Sequence, residues 1–253
     1  MTMLELLSHA GLNSPSPNHY QLLTVQNAPE DNEAIIKALS VIRYNTLLND
    51  LILLNYCDGM PISFGAAVEG INSGIVAMSV HSFQAVSMQL QKMTFIKSDL
   101  LPHWVMANVL KIDRENNLAY LALFTYVQDN YSERRNYVRM KLPEMVEASF
   151  HSDHQDVPGA VREISFGGVA ILAPQERPLK KKERGIISLS LPKARLEIPG
   201  VFLQCQEEDF LKRHIFQMKM DAKNGQIFSQ FIFEQQSKIM EELKHMDDES
   251  GAE

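Results

Sequence analysis

Two runs of short β-forming segments, an arginine cluster where they meet and a helical periodicity at each end predict a mainly β fold. The expected architecture is two small antiparallel β-barrels joined by an Arg-rich linker, with an N-terminal helix and a C-terminal helix. The chain has 253 residues, enough for two domains, and its 45% hydrophobic and 22% charged residues are the balance of a globular protein.

Residues 1–29 are rich in Ser, Pro and Asn and read as a flexible N-terminal arm. Met1–Leu12 carries Glu5 and His9 and has no basic stretch, so no targeting segment is expected there. Glu30, Asp31 and Glu33 then open a helix expected to run to about Tyr56. Its apolar face is Ile35, Ile36, Leu39, Ile42, Leu47, Leu51 and Leu54.

From Met60 to Val127 the pattern turns to β: Ile62–Val68, Ile75–Val80, Met93–Ile96, Val105–Ile112 and Leu118–Tyr126, punctuated by Gly70, Asn72–Gly74, Asp99–Pro102 and Asn116-Asn117. With the helix these form a domain over 30–127, expected to be a barrel with Trp104 in its core. Residues 128–139 are the linker. Six more short runs follow, Val146–Phe150, Val161–Ile164, Gly168–Leu172, Ile186–Leu191, Gly200–Cys205 and His214–Met220, with no helix between them. That pattern predicts a closed antiparallel barrel over 140–246. Asn224-Gly225 ends it, and Ile227, Phe228, Phe231, Ile232, Ile239 and Leu243 mark a closing helix. Asp247–Glu253 reads as a disordered acidic tail.

Composition excludes several functions. Two cysteines, Cys57 and Cys205, build no disulfide framework, which suits a reducing cytoplasm. The strongest apolar stretch, Leu47–Tyr56, falls far short of the roughly 20 residues that span a bilayer, so no stable membrane insertion is expected. Net charge is −7, which argues against a nucleic-acid polymer as partner. Residues 131–200 nevertheless carry 12 Lys/Arg against 9 Asp/Glu, a mildly basic segment in an acidic chain. A discrete anionic ligand fits that distribution.

The chemistry is concentrated in two places. Glu133-Arg134-Arg135-Asn136-Tyr137-Val138-Arg139 sets three guanidinium groups at the domain junction. Guanidinium forks match phosphate oxygens and guanine edges and stack on purines. Glu163-Ile164-Ser165-Phe166-Gly167-Gly168 offers a carboxylate that can accept from a guanine edge, a hydroxyl, and glycines that permit close approach.

Arg135-x-x-x-Arg139 followed by Glu163-x-Ser165-x-x-Gly168 resembles the signature of the PilZ family of cyclic di-GMP receptors. The doubled Arg134-Arg135, the β domain upstream and the closing helix resemble the family's two-domain flagellar-brake branch. The resemblance implies a non-enzymatic receptor whose ligand is cyclic di-GMP, bound by Arg134, Arg135, Arg139, Glu163, Ser165 and Gly168 as one or two molecules, with no other cofactor. Glu163 is a departure, since the family has Asp or Asn there, and the extra methylene re-aims the carboxylate. The resemblance further implies that ligand binding reorients the two domains toward a protein target serving motility, biofilm or secretion, such as the flagellar motor. Monomer and homodimer both remain compatible with it.

Two other readings stand beside this one: a PilZ-like adaptor that binds no nucleotide, and a single-stranded RNA or DNA binder. The first draws on Glu163; net charge and the lack of interleaved aromatics oppose the second. Lys180-Lys181-Lys182-Glu183-Arg184 reads as an exposed turn. His151, Asp153, His154 and Asp156 lack the spacing of a metal site, and no P-loop, nucleophile elbow or His-Glu zinc motif is present.

Overall fold

The computed structural model describes residues 20–45, 50–128, 137–174, 179–208 and 210–250. They divide into two compact units, one drawn chiefly from Pro17–Cys57 and Pro61–Arg135, the other from Asn136–Lys238.

In the first unit, the strand β1 (Leu22–Leu23) and the start of a helix lie within the stretch expected to be an arm. Helix α1 (Ala28–Tyr44) begins where the Asn27 side chain accepts the Glu30 N–H at 3.0 Å. Buried Asp31 accepts the N–H groups of Val25 and Gln26, fixing the entering chain. Ile35, Leu39 and Ile42 are buried as the periodicity requires.

The helix does not run on to Tyr56. It ends at Tyr44, and Ile52–Cys57 is strand β2. Leu53 and Leu54 are adjacent and both buried, as befits a strand covered on both faces, and the helical spacing of Leu51 and Leu54 is incidental.

The unit continues through β3 (Met60–Gly65), β4 (Ala67–Asn72), β5 (Ile75–Ser79), helix α2 (Ser82–Gln91), β6 (Met93–Lys97), β7 (Trp104–Asp113) and β8 (Leu118–Val127). Helix α2 is absent from the sequence reading. Its buried Gln84 donates to Asn55, which donates in turn to Gln91 and to the Met93 carbonyl, tying the helix to the sheet. The sheet runs β3-β2-β6-β7-β8-β5-β4, with β1 on β8. Among the described residues the end strands β3 and β4 do not pair, so the barrel of this unit is a half-barrel.

The second unit is the closed barrel, in the order β10-β11-β14-β13-β12-β9. All six expected strands are present, as β9 (Met140–His151), β10 (Asp156–Ser165), β11 (Gly168–Ala173), β12 (Arg184–Leu191), β13 (Ala194–Glu208) and β14 (Leu211–Met218). Leu142, Val146, Ala148, Phe150, Val161, Ile164, Ile171, Phe202 and Phe216 belong to its core. Helix α3 (Ala222–Ser250) contributes Phe228 and Phe231 to the same core. It takes in Asn224-Gly225 and also residues 247–250, which the sequence reading assigned to a disordered tail. Among the described residues no helix is long and apolar enough to cross a membrane.

The barrel interior holds one polar anomaly. His214 is fully buried beside Phe202, and neither ring nitrogen has a hydrogen-bond partner among the described residues. Burial, aided by the nearby Lys212 charge, holds its pKa below the ordinary histidine value. As pH falls, the unfolded chain takes up this proton first, at about pH 6.5, so the stability present above that pH is lost below it. Denaturant midpoints measured between pH 7.5 and 5 should fall for the wild type and fall less for His214→Phe; parallel curves would acquit His214.

Candidate ligand-binding site on the second barrel

The site takes its form from an irregularity in β10. Val161 and Ile164 both belong to the core although they are three residues apart. The register with β11 shifts between Val161 and Glu163, leaving Arg162 as an extra residue. This bulge switches the parity of the strand, sending Ile164 inward and Glu163 and Ser165 to the outer face.

Neighbouring strands align with this face. Ile164 pairs with Met140 and Glu163 with Lys141. Carried one residue further, the same register sets Arg139, immediately before β9, across from Ser165. Ser165 pairs on its other side with Gly168, and Gly168 with Gln217. Three of the six residues implicated by the motif thus fall in one row across β9, β10 and β11, with Glu163 two positions away on the same face. Arg134 and Arg135 lie outside the described residues.

The smaller residues of the motif have structural duties. The buried Ser165 hydroxyl donates to the Gly168 carbonyl at 3.0 Å, closing the β10–β11 turn. A Cβ on Gly168 would lie 2.5 Å from the Phe216 carbonyl oxygen, so the β11–β14 pair closes to this distance only around glycine. Phe166, at the tip of the turn, meets Phe228 of α3 edge-on at 5.2 Å, binding turn to helix. Tyr137 lies on the other side of Phe166, with ring centroids 6.0 Å apart. A shallow cavity of about 150 Å³ is lined by Tyr137, Val138, Met140, Phe166, Ile232 and Gln236.

Glu163 is engaged from across the sheet. Its carboxylate accepts from the Arg213 guanidinium, which also donates to Gln206. Sequence reading missed Arg213 because it stands 50 positions from Glu163, and only strand pairing brings the two together. The extra methylene that distinguishes Glu163 from Asp extends its reach toward that partner.

Other sequence features lie apart from this face. In the lysine turn, Glu183 accepts the Ser152 hydroxyl at 2.6 Å and the Lys180 N–H at 2.8 Å, bracing the loop against the β9–β10 turn. His151 meets Asp156 at 2.8 Å at an exposed position, and no group of three or more potential ligands is placed to hold a metal among the described residues.

A closed six-stranded antiparallel barrel, entered through an arginine segment that leads to a Ser-x-x-Gly turn, is the framework of one domain class. The PilZ domain family model matches residues 133–234, and this part of the chain is a PilZ domain. No curated relative matches the chain by sequence. Among solved structures it is similar to YcgR of Escherichia coli in complex with c-di-GMP, at 12% identity and a TM-score of 0.42, covering 85% of this chain and 95% of that one. It is also similar to the inhibitor of motility MotI/DgrA of Bacillus subtilis, at 13% identity and a TM-score of 0.40, covering 76% and 97%. A third similarity is to the MrkH–c-di-GMP complex of K. pneumonia, at 14% identity and a TM-score of 0.38, covering 80% and 96%.

Gly168→Ala should destabilise the barrel by about 1–3 kcal/mol, the usual result of forcing a methyl group into a packed contact. Gly225→Ala, with nothing within 4 Å of its added Cβ, should cause no loss. Denaturant unfolding of both variants checks the contrast.

Proposed function

We propose that the chain is a cyclic di-GMP receptor that acts as an adaptor rather than an enzyme. The observation that carries this reading is the row of Arg139, Ser165 and Gly168 on one outer face, with the Glu163 carboxylate beside it. Cyclic di-GMP presents two phosphates and two guanines. Arg139, with Arg134 and Arg135 of the preceding linker, matches the phosphates and can stack on a purine. Glu163 supplies acceptors for guanine N–H groups; a carboxylate offers about four lone-pair directions, so it can keep Arg213 and still accept from a base.

In this reading the ligand spans the linker and the barrel. It would restrict the linker joining the two units and so change which surfaces they offer to a protein target in motility, biofilm or secretion. The ligand shifts that equilibrium only by its differential affinity for the alternative arrangements. The receptor is expected to work in the cytoplasm, where a soluble nucleotide would meet it.

Titration calorimetry with cyclic di-GMP tests the reading directly. The wild type should bind at micromolar affinity or tighter, with GTP giving no signal. Arg139→Ala, losing a charge-assisted contact of about 1.5–3 kcal/mol, should weaken binding roughly ten- to a hundred-fold. A folded wild type that gives no heat with the cyclic dinucleotide would overturn the receptor reading in favour of an adaptor that binds no nucleotide.

A further inference from the structure

The turn carries two consecutive glycines, and they are small for different reasons. Gly168 is confined by the barrel, through the Phe216 carbonyl. At Gly167 the nearest neighbour is a side chain instead. A Cβ there would lie 2.8 Å from Cδ2 and 3.2 Å from Cε2 of Tyr137, and its three nearest neighbours all belong to that one ring. Gly167 is therefore a seat for Tyr137.

Tyr137 has little reason to be there for the sake of the core. Its residue is 51% exposed, and it forms the rim of the 150 Å³ cavity rather than filling it. It does, however, stand two residues before Arg139. Two residues span at most about 7 Å. A ring fixed on Gly167 therefore keeps Arg139 within a short reach of Ser165.

We infer that Tyr137 is a positioning residue: its ring, seated on Gly167, holds the arginine segment against the β10–β11 turn before any ligand arrives. This rests on the receptor reading for its functional consequence, though not for the seat itself. Ordering a segment in advance removes part of the entropy cost that binding would otherwise carry. The aromatic body supplies the contact, so Phe should serve as well as Tyr.

The test uses the full chain and two readouts. In calorimetry with cyclic di-GMP, Tyr137→Phe should bind as the wild type does. Tyr137→Ala and Gly167→Ala should each weaken binding about ten-fold with the thermal midpoint unchanged, and the double variant should be no weaker than either single one, since both remove one contact. Wild-type affinity in Tyr137→Ala, or losses that multiply in the double variant, would overturn the inference. The second readout needs no ligand: amide hydrogen exchange at Val138 and Arg139 should quicken in both single variants while barrel strands stay protected. Silence of the wild type in calorimetry would sink the receptor reading alone. Unchanged exchange at 138 and 139 would sink the seat alone.

Discussion

The register of β9 is the constraint on which the rest of the second unit depends. β9 pairs with β10 along one edge and with β12 along the other, and so closes the ring. Its inward residues, Leu142, Val146, Ala148 and Phe150, all belong to the core. A slip of one residue would turn all four to water, and burying side chains of that size is worth about 1.5–3 kcal/mol for each large one. The register of residues 146–151 is thus fixed by hydrophobic burial. The pairing with β10 shifts between Val146 and Lys141, so it is the pairing of Met140 with Ile164 and of Lys141 with Glu163 that brings Arg139 beside Ser165.

The same reasoning explains the acid. Without the extra residue at Arg162, strand alternation would put Glu163 on the side of Val161, in the core, where an ionised carboxylate is intolerable. The bulge rotates it outward and leaves Ile164 in the apolar interior. Once outside, Glu163 meets Arg213, which faces out because His214 and Phe216 alternate with it. The pair is partly shielded, so neighbouring phosphates would meet a neutralised carboxylate rather than a bare negative charge.

Much of this was legible in the sequence, and the rest was lost for identifiable reasons. The six barrel strands were visible because β-branched and aromatic runs alternate with turn residues at short spacing. The start of α1 was visible because Glu30 and Asp31 precede an apolar stripe. Its end was not: Leu51 and Leu54 sit at helical spacing, and the burial of Leu53 beside Leu54 appears only when a sheet has both faces covered. Helix α2 has ten residues wedged between two strands, too few to declare a period. Whether the first sheet closes depends on whether β3 and β4 pair, a non-local event without a local signal. Within the site the motif residues were found by their spacing. Arg213 and the contact of Tyr137 with Gly167 were not, because each is a meeting across strands.

The residues of the motif divide into two kinds, and the division bears on whether the site works. Ser165 and Gly168 are held by the barrel itself, one donating to a carbonyl across its own turn, the other pressed against a neighbouring strand. A domain that had ceased to bind ligand would still need both, so in the proposed reading they set the row on which Arg139 acts. Arg139 lies outside the ladder of β9, and barrel closure asks for no guanidinium there. Nor does it ask for a doubled arginine at 134 and 135, in a chain whose net charge is −7. In the receptor reading proposed above, these three cations are the groups that would meet the phosphates of the ligand. A glycine that yields its space to the tyrosine beside Arg139 points the same way. In that reading, the arginine segment is the part of the motif that a cyclic dinucleotide would use.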